Sequence, residues 1–319
     1  GIYDLAPDYG ELFRDKTRGS KEVIFSVAHS SDLELDENGQ PTTQAIGSFI
    51  ARSAGGTHNA QPSWELLAVY EMTNGKTIDE PGSGFDPHDP FANRDPRCLE
   101  TFAAPGSRIY GIEWNPAPNA LEVMDYTQNR MITNKDSKGG SDASNCAYNG
   151  CCLRKGAQES WRTTLYNDNP VILMRYADVL LMYAEVENVL KDDGQARWAL
   201  NKVRERVDLD PVESSGTELR DAIRQERRLE LALENQRLFD IRRWKNDSGK
   251  SVMSDIMGPN GSFVIYNTKE STDTYELGNQ KESSSKGRDF KEERDLVYPI
   301  PTTEISQSNG SIVQNPGYN

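Results

Sequence analysis

Long apolar runs are missing from this chain. No stretch approaches the roughly 18 uninterrupted apolar residues that a membrane-spanning helix needs. Apolar residues, Tyr included, make up 35% of the sequence, lean against the about 45–50% typical of globular domains when Gly is counted. Positive charge is also short: 36 Lys and Arg stand against 50 Asp and Glu, a net charge of −14. A surface that acidic repels phosphate backbones, which excludes a general nucleic-acid binder. Histidine is scarce. His29, His58 and His88 form neither His-x-x-x-His nor His-Glu-x-x-His, so no zinc-hydrolase motif exists, and a loop setting for His58 and His88 predicts surface side chains. A Gly-x-Ser-x-Gly elbow, a phosphate loop and a dinucleotide fingerprint are absent as well. Ser53-Ala54-Gly55-Gly56 lacks the Lys a phosphate loop needs. Asp32, Glu34 and Asp36 alternate like calcium ligands, but Glu37 stands where that loop needs Gly and Thr43 where it needs its closing Glu. This segment reads as a solvated acidic loop. No cofactor or metal is implied.

The start, Gly1-Ile2-Tyr3-Asp4, carries no charged region, apolar core or cleavage site. The expectation is an intracellular chain, or one whose targeting segment lies outside this sequence. Cysteine is limited to Cys98, Cys146, Cys151 and Cys152. Adjacent Cys151 and Cys152 fit a tetrahedral metal site poorly, so local disulfides of an exported protein are the favoured expectation, with three complete pairings open.

At 319 residues the chain is two domains or one large one, and its five Trp, thirteen Tyr and nine Phe still allow a sizeable core. Tyr3 to Phe13 reads as helix and Glu22 to Val27 as a short strand. Pro62 to Met72 has a helical apolar stripe, with Ser63 as N-cap and Asn74-Gly75 as stop. Residues 78–98 hold four prolines and residues 99–165 mix short β-like runs with polar stretches. Asn169-Pro170 predicts a helix start. Val171–Lys191 is apolar nearly all round, which predicts a deeply buried helix. Helices over Ala196–Val207, Leu219–Leu233 and Arg237–Trp244 follow, giving two helical hairpins in series, similar to tetratricopeptide stacking. Residues 246–319 return to loops.

Seven blocks in this order resemble the SusD/RagB family of nutrient-binding proteins of Bacteroidetes: PSWELLAVYEMTNGK (62–76), DPFANRDPRCLETF (89–102), NPVILMRYADVLLMYAEVEN (169–188), LNKVRERVDL (200–209), IRQERRLELALENQRLFDIRRWK (223–245), LVYPIP (296–301) and QNPGY (314–318). The likeness runs from about residue 3 onward and is to the C-terminal portion of such proteins. It implies a mainly α fold, with tetratricopeptide-like hairpins packed against an irregular, loop-rich region with short β-strands. Within one domain, 1–319, residues 1–168 would be the loop-rich ligand-binding part, 169–245 the helical scaffold and 246–319 a C-terminal loop region. The resemblance also implies a non-catalytic outer-membrane lipoprotein at the cell surface. It would bind a glycan, or in some members a peptide, and pass it to a SusC-like TonB-dependent transporter. The family's N-terminal helical region, signal and lipid anchor are expected to lie outside this sequence. One departure is Glu234-Asn235, where the family commonly has Glu-Gly; Asn tolerates the left-handed turn.

Glu226, Glu230 and Glu234 share one helical face at i, i+4 and i+8. A carboxylate metal cluster would want Glu-x-x-His partners, and none exists here. The expected reading is an ion-pair lattice joining the third and fourth helices through Arg forks. Trp198, Tyr176, Tyr183, Phe239, Trp244 and Trp64 are expected in the core. A sugar offers an apolar face and a rim of hydroxyls, so aromatic rings beside amide and carboxylate groups are the chemistry to seek. The loop candidates are Trp114, Tyr110, Asn115, Tyr126, Tyr148, Asn149 and Trp161, with Tyr166 nearby. Trp114 leads, because Asn115-Pro-Ala-Pro118 would stiffen the backbone and present its ring outward. Arg108, Arg130, Arg154 and Lys155 flank the group and leave an anionic ligand open. The alternatives to a glycan binder are an oligopeptide-binding protein on the same scaffold and a helical-repeat adaptor. A hydrolase comes last, since no acid and base pair is identifiable.

Overall fold

The structure, a computed structural model, describes residues 1–14, 16–30, 43–137, 150–257, 264–268, 277–282 and 290–318. In chain order its elements are α1 (Tyr9–Leu12), β1 (Val23–Val27), β2 (Gln44–Ala45), a 3-10 turn (Arg52–Ala54), α2 (Trp64–Ala68), α3 (Pro96–Thr101), β3 (Arg108–Ile109), β4 (Ile112–Glu113), β5 (Glu122–Asp125) and β6 (Arg130–Thr133). Then come α4 (Trp161–Thr164), β7 (Tyr166–Asn167), β8 (Val171–Arg175), α5 (Tyr176–Val189), α6 (Asp193–Glu205), α7 (Gly216–Glu230), α8 (Arg237–Arg243) and α9 (Val252–Met257). The chain ends with β9 (Val264–Thr268), β10 (Leu277–Glu282), α10 (Glu292–Asp295) and α11 (Thr302–Gln307). Two compact units form: Gly1–Glu234 with Ile265–Gln280, and Asn235–Val264 with Lys281–Asn319. The first boundary falls inside the 169–245 stretch.

Helices carry the frame of the first unit, as expected, and the strands are short ribbons. Ser63 caps α2 by accepting from the Leu66 N–H, and Asp95 caps α3 with Pro96 at its first position. The start at Asn169-Pro170 is corrected. Residues 171–175 form β8, and helix begins only at Tyr176. The apolar VILM run instead pairs antiparallel with β1, Val23 opposite Arg175 and Val27 opposite Val171. A distant strand supplied the hydrogen bonds, and tertiary pairing overrode the helical start signal.

Helices α5, α6 and α7 enclose one core of Ala177, Leu180, Leu181, Ala184, Ala196, Ala199, Leu200, Val203, Leu219 and Ile223. The four alanines let the helix axes approach closely. The expectation that α5 is buried all round is corrected as well. Its other arc (Met182, Tyr183, Val186, Val189) and the capping Leu190 face solvent, and so does Trp198 on α6, opposite that helix's Ala199/Leu200 side. Trp198, Tyr183 and Phe239 are therefore surface residues, whereas Trp64 and Trp244 are core.

Behind α7 lies a buried ionic lattice. Glu230 takes Arg175 Nη1 at 2.6 Å, Arg206 Nη2 at 2.5 and 2.6 Å, and Arg97 Nη1 at 2.9 Å. Arg175 grips Glu234 with two parallel bonds of 2.7 Å and Glu22 with a third of 2.7 Å. Arg97 also pairs with Asp95 and Glu226, and Arg204 joins Glu226 to Glu71. Burial opposes the charge on Glu230, but Arg206, Arg175 and Arg97 together hold its carboxyl well below the ordinary value. The expected lattice thus exists, but its forks come from α3, β8 and α6 rather than from the fourth helix. They are the groups that α7 meets when it packs.

In the second unit, Ile241, Met253 and Phe290 form a small core. Ser251 Oγ donates to the Ile241 carbonyl at 2.9 Å. Gln314 pins Ile300 through both backbone groups, at 2.8 and 2.9 Å.

Removing one partner of this lattice leaves a buried charge uncompensated, so Glu230→Leu and Arg175→Met should each lower stability by about 3–5 kcal/mol in urea denaturation. Depressed carboxyl groups at Glu230 and Glu234 contribute stability that is complete above their unfolded value and is lost as pH falls below it. Stability should therefore decline as pH drops below about 4.5, and Glu234→Gln should flatten that slope when unfolding is measured across pH 2–7.

Candidate functional site

The loop-rich part is organised by a four-stranded antiparallel meander in the order β3-β4-β5-β6. β5 and β6 pair from Glu122 opposite Thr133 to Asp125 opposite Arg130. Their turn is fixed by Asp125, whose carboxylate is buried. Its Oδ1 accepts from the Thr127 N–H (3.0 Å), the Thr127 hydroxyl (2.7 Å) and the Gln128 N–H (3.2 Å). Arg162 then clamps both oxygens, at 2.9 and 2.6 Å. The Arg162 guanidinium, followed by these hydroxyl and amide donors, holds the Asp125 carboxyl well below the usual carboxylate range.

Tyr126 sits at the tip of this hairpin, 40% exposed. Its N–H donates to the Gly111 carbonyl at 2.9 Å. Gly111 has φ +75°, and a Cβ there would lie 2.5 Å from Thr127 Cγ2, so only glycine lets the two turns meet. The Arg108 guanidinium lies 5.1 Å from the Tyr126 ring centroid. Glu159 holds Arg108 in place through Nε and, at 2.7 Å, through Nη2. That ion pair raises the Arg108 guanidinium above its ordinary value. The result is a half-exposed ring on a preorganised turn, with the Arg108 guanidinium over the ring and the Glu159 carboxylate holding that guanidinium.

The other candidates are placed differently. Trp114 is wholly buried, so the outward-presented ring is corrected. Asn115-Pro-Ala-Pro118 does stiffen the loop: Asn115 Oδ1 accepts from Ala117 N, and Asn134 Nδ2 donates to the Asn115 carbonyl at 2.7 Å. The stiffened segment turns the indole inward, into a cluster with Ile50, Ile112 and Cys152. Tyr110 and Trp161 are buried in the same cluster. Tyr110 donates its hydroxyl to Leu153 O at 3.2 Å, and burial pushes its phenol well up. These three rings offer no face to a ligand. Asn115 serves the loop's own backbone. Tyr148 and Asn149 lie outside the described residues, as do Cys146 and the acidic segment from Asp32 to Glu37. Tyr166 is half-exposed on β7.

Three further expectations change. His58 is not on the surface. It is fully buried, with Nδ1 3.3 Å from Asp136 Oδ1 and its ring edge-on to Trp114. Asp136 also accepts from the Arg52 and Ser53 N–H groups, at 2.9 and 2.8 Å. Cys98 and Cys152 are buried free thiols, so the favoured disulfides do not form at those positions, and burial pushes the Cys98 thiol up to about 12. Lys155, one of the four basic residues flanking the aromatic group and left open to an anionic ligand, is buried and paired with Glu234. Burial pulls its ammonium down to about 8 against the attraction of Glu234, which it meets at 2.6 Å. Asp125, Glu159 and Arg162 were not among the sequence candidates. The Asp-x-Thr spacing at 125–127, an Asx-turn pattern, is the signal that could have found the turn.

Among the described residues, no group of three or more His, Cys, Asp or Glu side chains is placed to hold a metal. No helix there is long and apolar enough to cross a membrane. Core and surface aromatics should separate in equilibrium unfolding. Trp114→Ala should cost about 3–5 kcal/mol, while Tyr126→Ala should stay within about 0.5 kcal/mol of the parent.

The family model described as SusD family matches residues 21–318. SusD-like protein P2 of Formosa agariphila is 26% identical over 329 residues, covering 98% of this chain and 52% of that protein. A SusD-like carbohydrate binding protein from Bacteroides fragilis superposes with a TM-score of 0.71 at 25% identity, over 96% of this chain and 57% of its own. A second SusD-like protein from the same species gives 0.70 at 23% identity, over 99% and 59%. The chain spans about half the length of the curated relative P2. A match over nearly the whole sequence, joined to a mainly helical frame with short β ribbons, makes this chain a member of the SusD/RagB family.

Proposed function

We propose that this chain is part of a cell-surface glycan-binding lipoprotein that captures oligosaccharides and passes them to a SusC-like TonB-dependent transporter. Capture, not bond cleavage, is its role. The observation that carries the reading is the Tyr126 hairpin. A half-exposed phenol ring is held on a turn locked by Asp125 and Arg162, with Arg108 and Glu159 at its side. A sugar ring can lay its C–H face on the phenol while the guanidinium and carboxylate take hydroxyls. Because the turn is already ordered, little entropy is lost on binding. Family membership and the carbohydrate-binding relative support the same reading.

Calorimetric titration with a panel of neutral and anionic oligosaccharides tests this reading. Saturable binding of at least one glycan is expected, weakened about tenfold or more by Tyr126→Ala and several-fold by Arg108→Ala. Binding that ignores both substitutions would move the site elsewhere. Saturation by oligopeptides alone would replace the glycan reading.

A further inference from the structure

An open groove of about 560 Å³ lies at the C-terminal end of α6, with Trp198, Asn201, Lys202, Glu205, Asp208 and Asp210 in its lining. It shares no residue with the Tyr126 hairpin. Trp198, Lys202 and Glu205 follow one another at i, i+4 and i+7, so helical geometry puts them along one face. The Trp198 indole is 48% exposed, and Tyr183 packs against it edge-on with ring centroids 6.3 Å apart, which fixes its orientation.

The opposite wall is built, not loose. The helix stops at Arg206, and Asp208 takes a left-handed conformation, φ +54°. Leu209 turns back into the core, and its N–H donates to the Arg204 carbonyl at 3.2 Å. Arg204 Nε donates to the Asp210 carbonyl at 2.8 Å. Asn201 binds both backbone groups of Val212, at 2.8 and 3.1 Å. These bonds hold the wall in place, and Asp208 and Asp210 line the groove from it.

Charge selects the occupant. Lys202, the one cation among the described residues lining the groove, is engaged by Glu205 at 2.8 Å, which together with Asp4 raises its ammonium. The carboxylates of Asp208 and Asp210 have no hydrogen-bond or ion-pair partner among the described residues. An indole face beside two unpaired carboxylates attracts a cation carried on an apolar stem, through the ring quadrupole and through charge together. A neutral sugar can hydrogen-bond those carboxylates but gains nothing from their charge, whereas a cation on an apolar stem uses both the charge and the ring. We propose that this groove binds the arginine or lysine side chain of a basic peptide segment, apart from any glycan binding at the hairpin.

The test is a titration of this chain with a short acetylated, amidated peptide carrying two arginines, its lysine counterpart and a glutamate control, followed by calorimetry and tryptophan fluorescence. Expected is saturable binding of the basic peptides only, weaker in 0.5 M salt. Asp208→Asn/Asp210→Asn should weaken it about tenfold or more. Both positions are exposed, and circular dichroism on the variant checks that the fold is kept. Trp198→Ala should weaken binding and remove the fluorescence change. No saturation by either basic peptide overturns the proposal. So does binding that survives in the double Asn variant or in Trp198→Ala, which would mark diffuse attraction to an acidic chain. Glucosamine saturating the groove while the peptides stay silent overturns the peptide assignment. The Tyr126→Ala variant separates the two sites: it should bind the basic peptides like the parent, whatever becomes of its glycan binding.

Discussion

Glu230 is the residue on which the rest of the first unit depends. Its carboxylate is fully buried and meets three guanidinium groups, from α3, β8 and α6. A charge without water is tolerated only when opposite charges and hydrogen bonds surround it. Each fork therefore specifies a geometry, not just an attraction. Arg175 must stand at the end of β8, Arg206 at the end of α6 and Arg97 in α3 for the carboxylate to be satisfied. Hydrophobic packing among α5, α6 and α7 tolerates small shifts; the lattice does not.

The same lattice reaches the loop-rich part. Lys155 joins Glu234 and the Ala232 carbonyl, at 2.6 and 2.8 Å, and its ammonium lies 4.2 Å from the Phe13 ring centroid. Just before it, the chain forms a ladder with the end of α3: Ala103 N donates to Cys152 O and Arg154 N to Thr101 O, both at 2.9 Å. Tyr110 closes on Leu153, and Trp114 sits in one core with Cys152. The meander with Tyr126 at its tip is thus bolted to the helical frame through residues 101–103 and 151–155. A short hairpin without such support would be marginal in water. Bonded to a rigid frame, it can present one ring in one orientation.

The most conspicuous aromatics are the ones the fold consumes. Trp114, Trp161 and Tyr110 fill the centre of the loop-rich part, packed among Ile46, Ile50, Ile109 and Ile112. Surface rings remain where the backbone has other anchors: Tyr126 on a turn held by a buried aspartate, and Trp198 on a helix whose inner face is already filled by Ala199, Leu200 and Val203.

Helices, caps, the strand at 23–27 and the polar loops were legible in the sequence, because periodicity and capping residues act over a few positions. The resemblance carried by the blocks at 169–188 and 223–245 gave the family. That Glu226, Glu230 and Glu234 form a structural lattice was also readable, from their spacing and the arginines around them. Which arginines answer them was not, because Arg97 and Arg175 lie far away in the chain and only packing brings them close. The exchange of helix for strand at 171–175 has the same cause, a partner strand nearly 150 residues away. Whether a tryptophan is platform or core was decided by tertiary structure alone: a stiff loop can point a ring either way, and the surrounding core determines which.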